Sequence, residues 1–364
     1  MLARAVAQAR VSLALAAAHD GRVLGSAARA LAGEPRAEEC SVGGVEAEVS
    51  RPGRGSGPWP AVVVLPGVTS RGRAHPALRA VARGLAASGH LAVLPEPEGL
   101  AVGELGAEAL VQTQAAIAAA ASRSDAVHGR VAVVGVSGGA TLALLAAADP
   151  ELAARVSVVV ALAPCCDIVE ALRVVTTGAF RDGDRLVPFS TGDFFKLVVA
   201  RSVVAGLPPG PDRSTLRSHL LALEDYGPEP LAGVRALSRS GLDPDACAVV
   251  ELLSNADPAR FERLLAALPG ELAAHLHALS PIGAAGRIVA PVELVVGRSD
   301  KYFPPTDAEV FARACPRARL TVLESLEHVV PSLAPSAARD LLRLDGVLVR
   351  LLTAARGAPS YSPR

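Results

Sequence analysis

The hydrophobic and polar positions of this chain follow two alternating patterns. Short, nearly continuous apolar runs are typical of buried parallel strands, and longer stretches with an apolar residue every three or four positions are typical of amphipathic helices. The predicted strands are Ala61–Leu65, Leu91–Leu94, Val131–Val134, Val156–Ala163, Val292–Val296 and Leu320–Leu323. The predicted helices are His75–Ser88, Glu104–Ser122, Ala140–Ala148, a helix near Asp307–Ala314, and Ala337–Ala355. Strands that alternate with helices indicate an α/β protein whose parallel sheet is covered on both faces.

The first part of the chain lies outside this alternation. Leu2–Ala18 and Arg22–Leu31 are helical stretches, ended by Gly33 and Pro35. Cys40–Ser50 alternates apolar and polar residues, as an antiparallel edge strand or hairpin does. We expect a helical extension, residues 1–38, ahead of the core.

The alternation also stops after Pro164 and resumes only beyond Leu279. The segment between them shows no convincing buried strand, and turns rich in proline and glycine separate short helical runs. These runs are Leu216–Leu223, Ala246–Leu253, Pro258–Leu268 and Glu271–Ala278. We expect a core of residues 39–164 and 280–364, split by a helical insert at residues 165–279.

Composition narrows the class of protein. Of the 364 residues, 51% are apolar but only 3% are aromatic, so Ala, Val and Leu must build a large core. The formal net charge is zero and basic residues are scattered, which gives no electrostatic reason to expect a nucleic-acid partner. The sequence has no apolar run of the roughly 18 residues that a membrane-spanning helix needs.

Five cysteines without a Cys-x-x-Cys pair or metal-ligand spacing favour a reducing compartment, the cytoplasm. The alternative is export, because Arg4 and Arg10 precede a short apolar stretch, Val11–Ala18, and residues 1–18 then resemble a signal peptide. Arg10 interrupts the apolar run, which favours an amphipathic helix instead.

Residues 131–141 combine a buried strand, a glycine-rich turn and a helix. The turn reads Gly135-Val136-Ser137-Gly138-Gly139, and small residues on both sides of the serine let the backbone bend enough to expose its hydroxyl. The free N–H groups that begin the following helix favour negative charge at the same place. Neither the Gly-Lys-Ser/Thr of a phosphate loop nor the glycine spacing of a dinucleotide-binding turn is present. The turn predicts a serine nucleophile for acyl transfer.

A serine nucleophile needs a general base, and the base needs a carboxylate that orients it. In a parallel sheet, catalytic groups gather beyond the carboxyl ends of the strands. Asp300 follows the strand Val292–Val296, and His328 follows the strand Leu320–Leu323. We expect both side chains at the sheet edge where Ser137 lies.

Other residues near these strand ends have alternative interpretations. Asp167 follows a predicted strand too, and it is the second candidate for the orienting acid. Cys165 and Cys166 lie outside the glycine-rich turn and are interpreted as packing residues. Glu324 and Glu327 are interpreted as solvated loop charges.

The remaining candidate histidines do not predict a metal site. His275 and His277 lie two positions apart near a helix end, so their side chains point in different directions. His75 and His90 flank a predicted helix and are expected at the surface or as helix caps.

The chain resembles the α/β-hydrolase family in three motifs: the nucleophile elbow Gly135–Gly139, the Gly-x-x-Asp segment Gly297–Asp300 followed by prolines, and His328 before the last helix. The likeness covers roughly Cys40–Pro164 and Ser280–Ala355. It implies an eight-stranded, mostly parallel sheet flanked by helices, with the insert placed as a lid after the sixth strand.

The resemblance also implies roles for single residues. Ser137 corresponds to the nucleophile, His328 to the general base and later acid, and Asp300 to the residue that orients the imidazole. The oxyanion hole corresponds to two backbone N–H groups, those of Gly138 and of Val68 in the loop after the first buried strand. No metal and no organic cofactor is implied.

The function implied is that of a serine hydrolase, most simply a carboxylesterase acting on a small ester-like substrate. Cleavage of a lactone, thioester or peptide, or a non-catalytic binding protein of the same fold, remain alternatives. The N-terminal helices are candidates for covering the sheet, for pairing two subunits into a homodimer or for contacting a membrane surface. The insert carries residues that suit either an apolar substrate pocket or ordinary packing: Phe189, Phe194 and Phe195 with Arg181, Asp182, Asp184 and Arg185.

Overall fold

A computed structural model of the chain describes residues 33–331 and 335–357. The predicted N-terminal helices, Leu2–Ala18 and Arg22–Leu31, lie outside the described residues. The first strand of the sheet begins at Arg36, three residues before the predicted start of the core at residue 39.

Eight strands form the central sheet: β1 (Arg36–Val42), β2 (Val45–Arg51), β3 (Trp59–Leu65), β4 (Leu91–Pro95), β5 (Ala126–Val136), β6 (Val156–Leu162), β9 (Val292–Gly297) and β10 (Ala318–Leu323). They lie in the order β1-β2-β4-β3-β5-β6-β9-β10. The β1–β2 and β2–β4 pairs are antiparallel, and the other pairs are parallel. The predicted eight-stranded, mostly parallel sheet is confirmed.

Helices cover both faces of this sheet. The described helices are α1 (Pro76–Ala87), α2 (Ala107–Ala121), α3 (Gly138–Ala147), α4 (Ile168–Thr177), α5 (Asp193–Ala205), α6 (Pro211–Leu221), α7 (Pro230–Arg235), α8 (Pro244–Leu253), α9 (Phe261–Ala266), α10 (Gly270–Ala278), α11 (Pro305–Ala314) and α12 (Ala337–Ala355). Because alternate side chains of a strand point to opposite faces, Val63 and Leu65 of β3 pack with α2 and α3, whereas Val62 and Val64 pack with α1 and α12. Burial on both faces explains why the strands are apolar throughout.

The insert between β6 and β9 differs in part from its predicted structure. The expectation of helical runs without a buried strand is met by α6, α8, α9 and α10, but it misses an antiparallel hairpin formed by β7 (Ala179–Asp182) and β8 (Arg185–Pro188). A two-residue turn with Gly183 at φ 58° joins these short strands. Only Ala179 and Phe180 of the hairpin strands are buried, so the hairpin carries no long apolar run. The insert also contains α4, α5 and α7, which the pattern did not indicate.

Polar contacts tie the insert to the core. The buried guanidinium of Arg201 in α5 donates to the carbonyl oxygen of Val102 at 3.2 Å. Arg217 in α6 forms a bidentate ion pair with Glu104 at 2.6 and 3.1 Å. Together these contacts fix α5 and α6 on the loop that follows β4.

Of the helices that the structure describes, none combines the length and the hydropathy that crossing a bilayer requires.

Candidate active site

Ser137 lies between β5 and α3 in a strained backbone conformation, with φ 52° and ψ −121°. A Cβ on Gly135 would lie 2.4 Å from the carbonyl oxygen of Gly139, and a Cβ on Gly139 would lie 2.2 Å from that of Pro66. Both obstacles are backbone atoms, so no side-chain movement would relieve them. The two glycines are a steric requirement of the turn that lifts the serine hydroxyl out of the sheet.

Asp300 lies in the loop after β9, and its two carboxylate oxygens have different partners. Oδ1 accepts hydrogen bonds from the backbone N–H groups of Tyr302 at 2.7 Å and Phe303 at 3.1 Å. Oδ2 lies 2.9 Å from Nδ1 of His328. The loop turn thus aims one oxygen of a buried carboxylate at the imidazole.

His328 is buried at the turn between two short strands, β11 (Leu326–Glu327) and β12 (Val330–Pro331), with φ 54°. The loop leading to it is anchored by Asp340 of α12, whose Oδ2 accepts hydrogen bonds from the N–H groups of Glu324 and Ser325, both at 2.8 Å. Nε2 of His328 lies 3.0 Å from Oγ of Ser137. The structure therefore brings Ser137, His328 and Asp300 into one hydrogen-bonded chain.

The direction of these hydrogen bonds follows from the acceptor at one end. An ionised carboxylate can only accept, so Nδ1 of His328 donates to Asp300. A neutral imidazole then carries a lone pair on Nε2, which accepts the hydrogen of the Ser137 hydroxyl. This is the tautomer that a general base requires.

The backbone nitrogen of Val68 lies close to Gly138, the residue that follows the serine. Gly138 is the first residue of α3, and a Cβ on it would lie 3.8 Å from the backbone nitrogen of Val68. Among the residues that the structure describes, neither of these two backbone N–H groups donates a hydrogen bond within the protein. Gly67 allows this close approach, because a Cβ there would lie 3.3 Å from that of Ser137.

The second candidate acid is engaged elsewhere. Oδ1 of Asp167 accepts hydrogen bonds from the N–H groups of Val169 at 2.9 Å and Glu170 at 3.2 Å, which caps the N-terminus of α4. The imidazole of His328 contacts the Asp300 carboxylate and not this one. Asp167 therefore has a structural role as a helix cap.

The cysteines and glutamates of the strand ends also have structural explanations. Burial raises the pKa of the Cys165 and Cys166 thiols well above the ordinary value, so both stay protonated and weakly nucleophilic. Glu324 pairs with Arg298 at 2.5 Å on the protein surface. Glu327 pairs likewise with an exposed lysine.

Of the two histidines predicted at the surface or as caps, one prediction is confirmed and one is wrong. Nδ1 of His75 accepts the N–H of Ala77 at 3.3 Å and so caps α1. His90 is fully buried, because the next residue begins strand β4 in the core. Its Nδ1 lies 2.9 Å from Oγ of Ser88. Within residues 33–331 and 335–357, His275 and His277 join no group of three side chains that could hold a metal ion.

Aromatic rings around the imidazole are the part of the site that the sequence did not indicate. Tyr302 and Phe303 pack edge-on against the His328 ring, with centroid distances of 4.6 and 5.4 Å. Phe195 of α5 contacts both of them. The available signal was that Tyr302 and Phe303 lie two and three residues after Asp300, since a tight turn keeps residues this close in sequence near the carboxylate.

A groove of about 210 Å³, lined in part by Phe303, lies between α4, the insert hairpin and α11. The carboxylate of Asp307 lines it and accepts the backbone N–H groups of Cys166 at 2.8 Å and Asp167 at 3.1 Å. Burial, together with the nearby carboxylates of Asp167 and Glu170, raises the pKa of Asp307 to about 7. This carboxyl holds α11 against the loop that follows β6.

Comparisons with known proteins agree with this architecture. No family model and no characterised protein matches the sequence. Dipeptidyl peptidase 4 of Porphyromonas gingivalis is similar over 91% of this chain, with 12% identity and a TM-score of 0.50. A puromycin hydrolase is similar over 91% of this chain, with 16% identity and a TM-score of 0.50. The aligned region spans 37% and 40% of those two chains. The strand order, the strained serine turn and these similar structures show that the chain has the α/β-hydrolase fold.

Proposed function

We propose that the protein is a serine hydrolase that cleaves a carboxylic ester through an acyl-enzyme intermediate. The observation that carries the proposal is the hydrogen-bonded chain from Oγ of Ser137 through His328 to Asp300, with links of 3.0 and 2.9 Å. A serine hydroxyl is a weak nucleophile unless a base removes its proton, and this chain supplies the base and orients it.

In the first half of the reaction, Oγ of Ser137 attacks the ester carbonyl carbon while Nε2 of His328 takes the hydroxyl proton. Negative charge develops on the carbonyl oxygen, where the N–H groups of Val68 and Gly138 donate to it. The C–O bond to the alcohol then breaks, and the imidazolium gives its proton to the leaving oxygen. The ionised carboxylate of Asp300 stabilises the imidazolium throughout.

In the second half, water replaces the alcohol. Nε2 of His328 takes a proton from the water, whose oxygen attacks the acyl carbon, and collapse of the second tetrahedral intermediate releases the acid. The proton returns to Oγ of Ser137 and restores the free enzyme. Each backbone donor to the oxyanion contributes about 3 kcal/mol to transition-state stabilisation.

The rest of the molecule fits this function. We propose that the insert, residues 165–279, is a lid over the site and that its aromatic side chains, among them Phe194 stacked on Tyr226 at 5.2 Å, contact an apolar part of a small substrate. We also propose a cytoplasmic protein, with export as the alternative, that assembles as a homodimer. Hydrolysis of lactones, thioesters or peptides would use the same residues.

The test is covalent labelling of the folded protein by a fluorophosphonate probe, with hydrolysis of short p-nitrophenyl esters measured in parallel. Wild type should be labelled at Ser137 and should turn over the esters, whereas Ser137→Ala should do neither. A panel of matched ester, thioester, lactone and amide substrates then identifies the bond that is cleaved. A folded wild-type protein that takes up no label would contradict the proposal and favour a non-catalytic binding protein.

A further inference from the structure

The ring of Tyr302 touches the imidazole of His328 from the side of the insert. The two centroids lie 4.6 Å apart with the planes at 84°, an edge-to-face contact that favours one orientation of each ring. The backbone N–H of the same residue donates to Oδ1 of Asp300 at 2.7 Å. Tyr302 therefore contacts two members of the hydrogen-bonded chain, one through its ring and one through its backbone.

The insert holds this ring in place. Gly192 precedes α5, and a Cβ on it would lie only 2.6 Å from Cε1 of Tyr302. Its backbone is ordinary extended chain, with φ −67° and ψ 145°, so the conformation itself does not require glycine. The small residue is explained by the ring, which lies directly against the start of α5.

Hydrogen bonds join the same two segments. The N–H of Gly192 donates to the carbonyl oxygen of Lys301 at 3.2 Å. The hydroxyl of Thr191 lies 3.3 Å from the same oxygen and 3.2 Å from that of Tyr302. The ring of Phe195, one turn into α5, packs at 5.9 Å from Tyr302. The start of α5 is thus fixed to the loop that carries Asp300.

We propose that Tyr302 is a positioning residue that holds the His328 imidazole between Ser137 and Asp300, and that Thr191 and Gly192 of the insert hold Tyr302 in turn. The proposal rests on the proposed hydrolase function. An imidazole free to rotate by a few tens of degrees would leave Nε2 out of line with the serine hydroxyl, which lowers the rate of proton transfer more than it lowers substrate binding.

The experiment compares Tyr302→Phe, Tyr302→Ala, Gly192→Ala and the double variant that combines Gly192→Ala with Tyr302→Ala. Tyr302→Phe keeps the ring and should keep kcat within about 2-fold, whereas Tyr302→Ala should lower kcat on the order of 10- to 100-fold with a smaller change in KM. Gly192→Ala should lower kcat because its Cβ displaces the ring. In the double variant the ring is gone, so the added Cβ should cause no further loss.

Val111→Ala is the control, because this apolar side chain of α2 is 56% exposed and lies outside both the insert and the loop that carries Asp300. Its kcat should equal that of wild type. If Tyr302→Ala proves unstable in a thermal melt, Tyr302→Leu replaces it, since leucine restores apolar bulk without a ring.

The outcomes separate this proposal from the function on which it depends. If wild type is not labelled by the fluorophosphonate at Ser137, the hydrolase function fails and this inference fails with it. If wild type is labelled but the ring-deleted variants keep kcat within about 3-fold, or if the Gly192 and Tyr302 effects multiply in the double variant, only the positioning role is wrong.

Discussion

Replacement of Asp300 by asparagine tests the proposed chain of hydrogen bonds most directly. Oδ1 of Asp300 receives the N–H groups of Tyr302 and Phe303, at 2.7 and 3.1 Å. In Asp300→Asn only the carbonyl oxygen of the amide can accept these bonds, so its NH₂ group must face Nδ1 of His328. Nδ1 then has to accept, and the ring proton moves to Nε2, where it blocks acceptance from the Ser137 hydroxyl.

The expected magnitude follows from the loss of the productive tautomer. In a serine protease the same change lowers kcat about 10⁴-fold. At about 1.4 kcal/mol for each tenfold change in rate, this corresponds to about 5 to 6 kcal/mol of transition-state stabilisation. Substrate binding does not use this bond, so KM should change little. The amide keeps the size of the side chain and both backbone hydrogen bonds, so the protein should still fold.

The assay is the steady-state rate on a p-nitrophenyl ester, supported by the rate of fluorophosphonate labelling and by a thermal melt. Asp167→Asn is the matched control, because an asparagine still caps α4 and kcat should stay within about 3-fold of wild type. A kcat for Asp300→Asn within tenfold of wild type would refute the reasoning. A large loss in Asp167→Asn instead would assign the orienting role to that residue.

Three further predictions concern packing, pH and the loop that carries the histidine. Gly135→Ala should lower the melting temperature, because its Cβ would lie 2.4 Å from the carbonyl oxygen of Gly139, whereas Gly270→Ala, with nothing within 4 Å, should not; equal melting temperatures would contradict the steric argument. The carboxyl of Asp307 has a folded-state pKa of about 7 against an ordinary 3.8, so the folded state binds a proton that the unfolded state has lost between these values. Its contribution to stability is therefore complete below pH 3.8 and declines as the pH rises to 7, and Asp307→Asn should flatten the profile measured by urea denaturation. Asp340→Ala removes an oxygen that accepts three hydrogen bonds from the histidine loop, so kcat should fall on the order of 10-fold with little change in KM. An unchanged kcat in this variant would show that the loop keeps its position without the carboxylate.

The insert shows which helices a hydrophobic pattern fails to predict. Helix α5 was not predicted, and its residues from Leu197 to Val204 are buried on every side, so it lacks the polar face that marks an amphipathic helix. Helix α10, predicted as Glu271–Ala278 and observed as Gly270–Ala278, is buried on one side only, at Leu272 and Leu276. A helical period of apolar residues indicates burial on one side, and it gives no signal for a helix that is buried on all sides.

Local sequence by itself determined the alternation of strands and helices, the turn at Ser137 and the position of Asp300 and His328 beyond their strands. These features depend on residues a few positions apart, whose steric and hydrophobic requirements can be judged along the chain. Only the tertiary structure decided which carboxylate meets the imidazole. Asp167 follows β6, the strand next to β5, yet its oxygen caps α4. Asp300 follows β9, which lies on the opposite side of β6 from β5, and its carboxylate is the one that contacts His328. The contact of Tyr302 with Gly192 could not be predicted from the sequence either, because it joins segments that meet only when the insert packs on the end of the sheet.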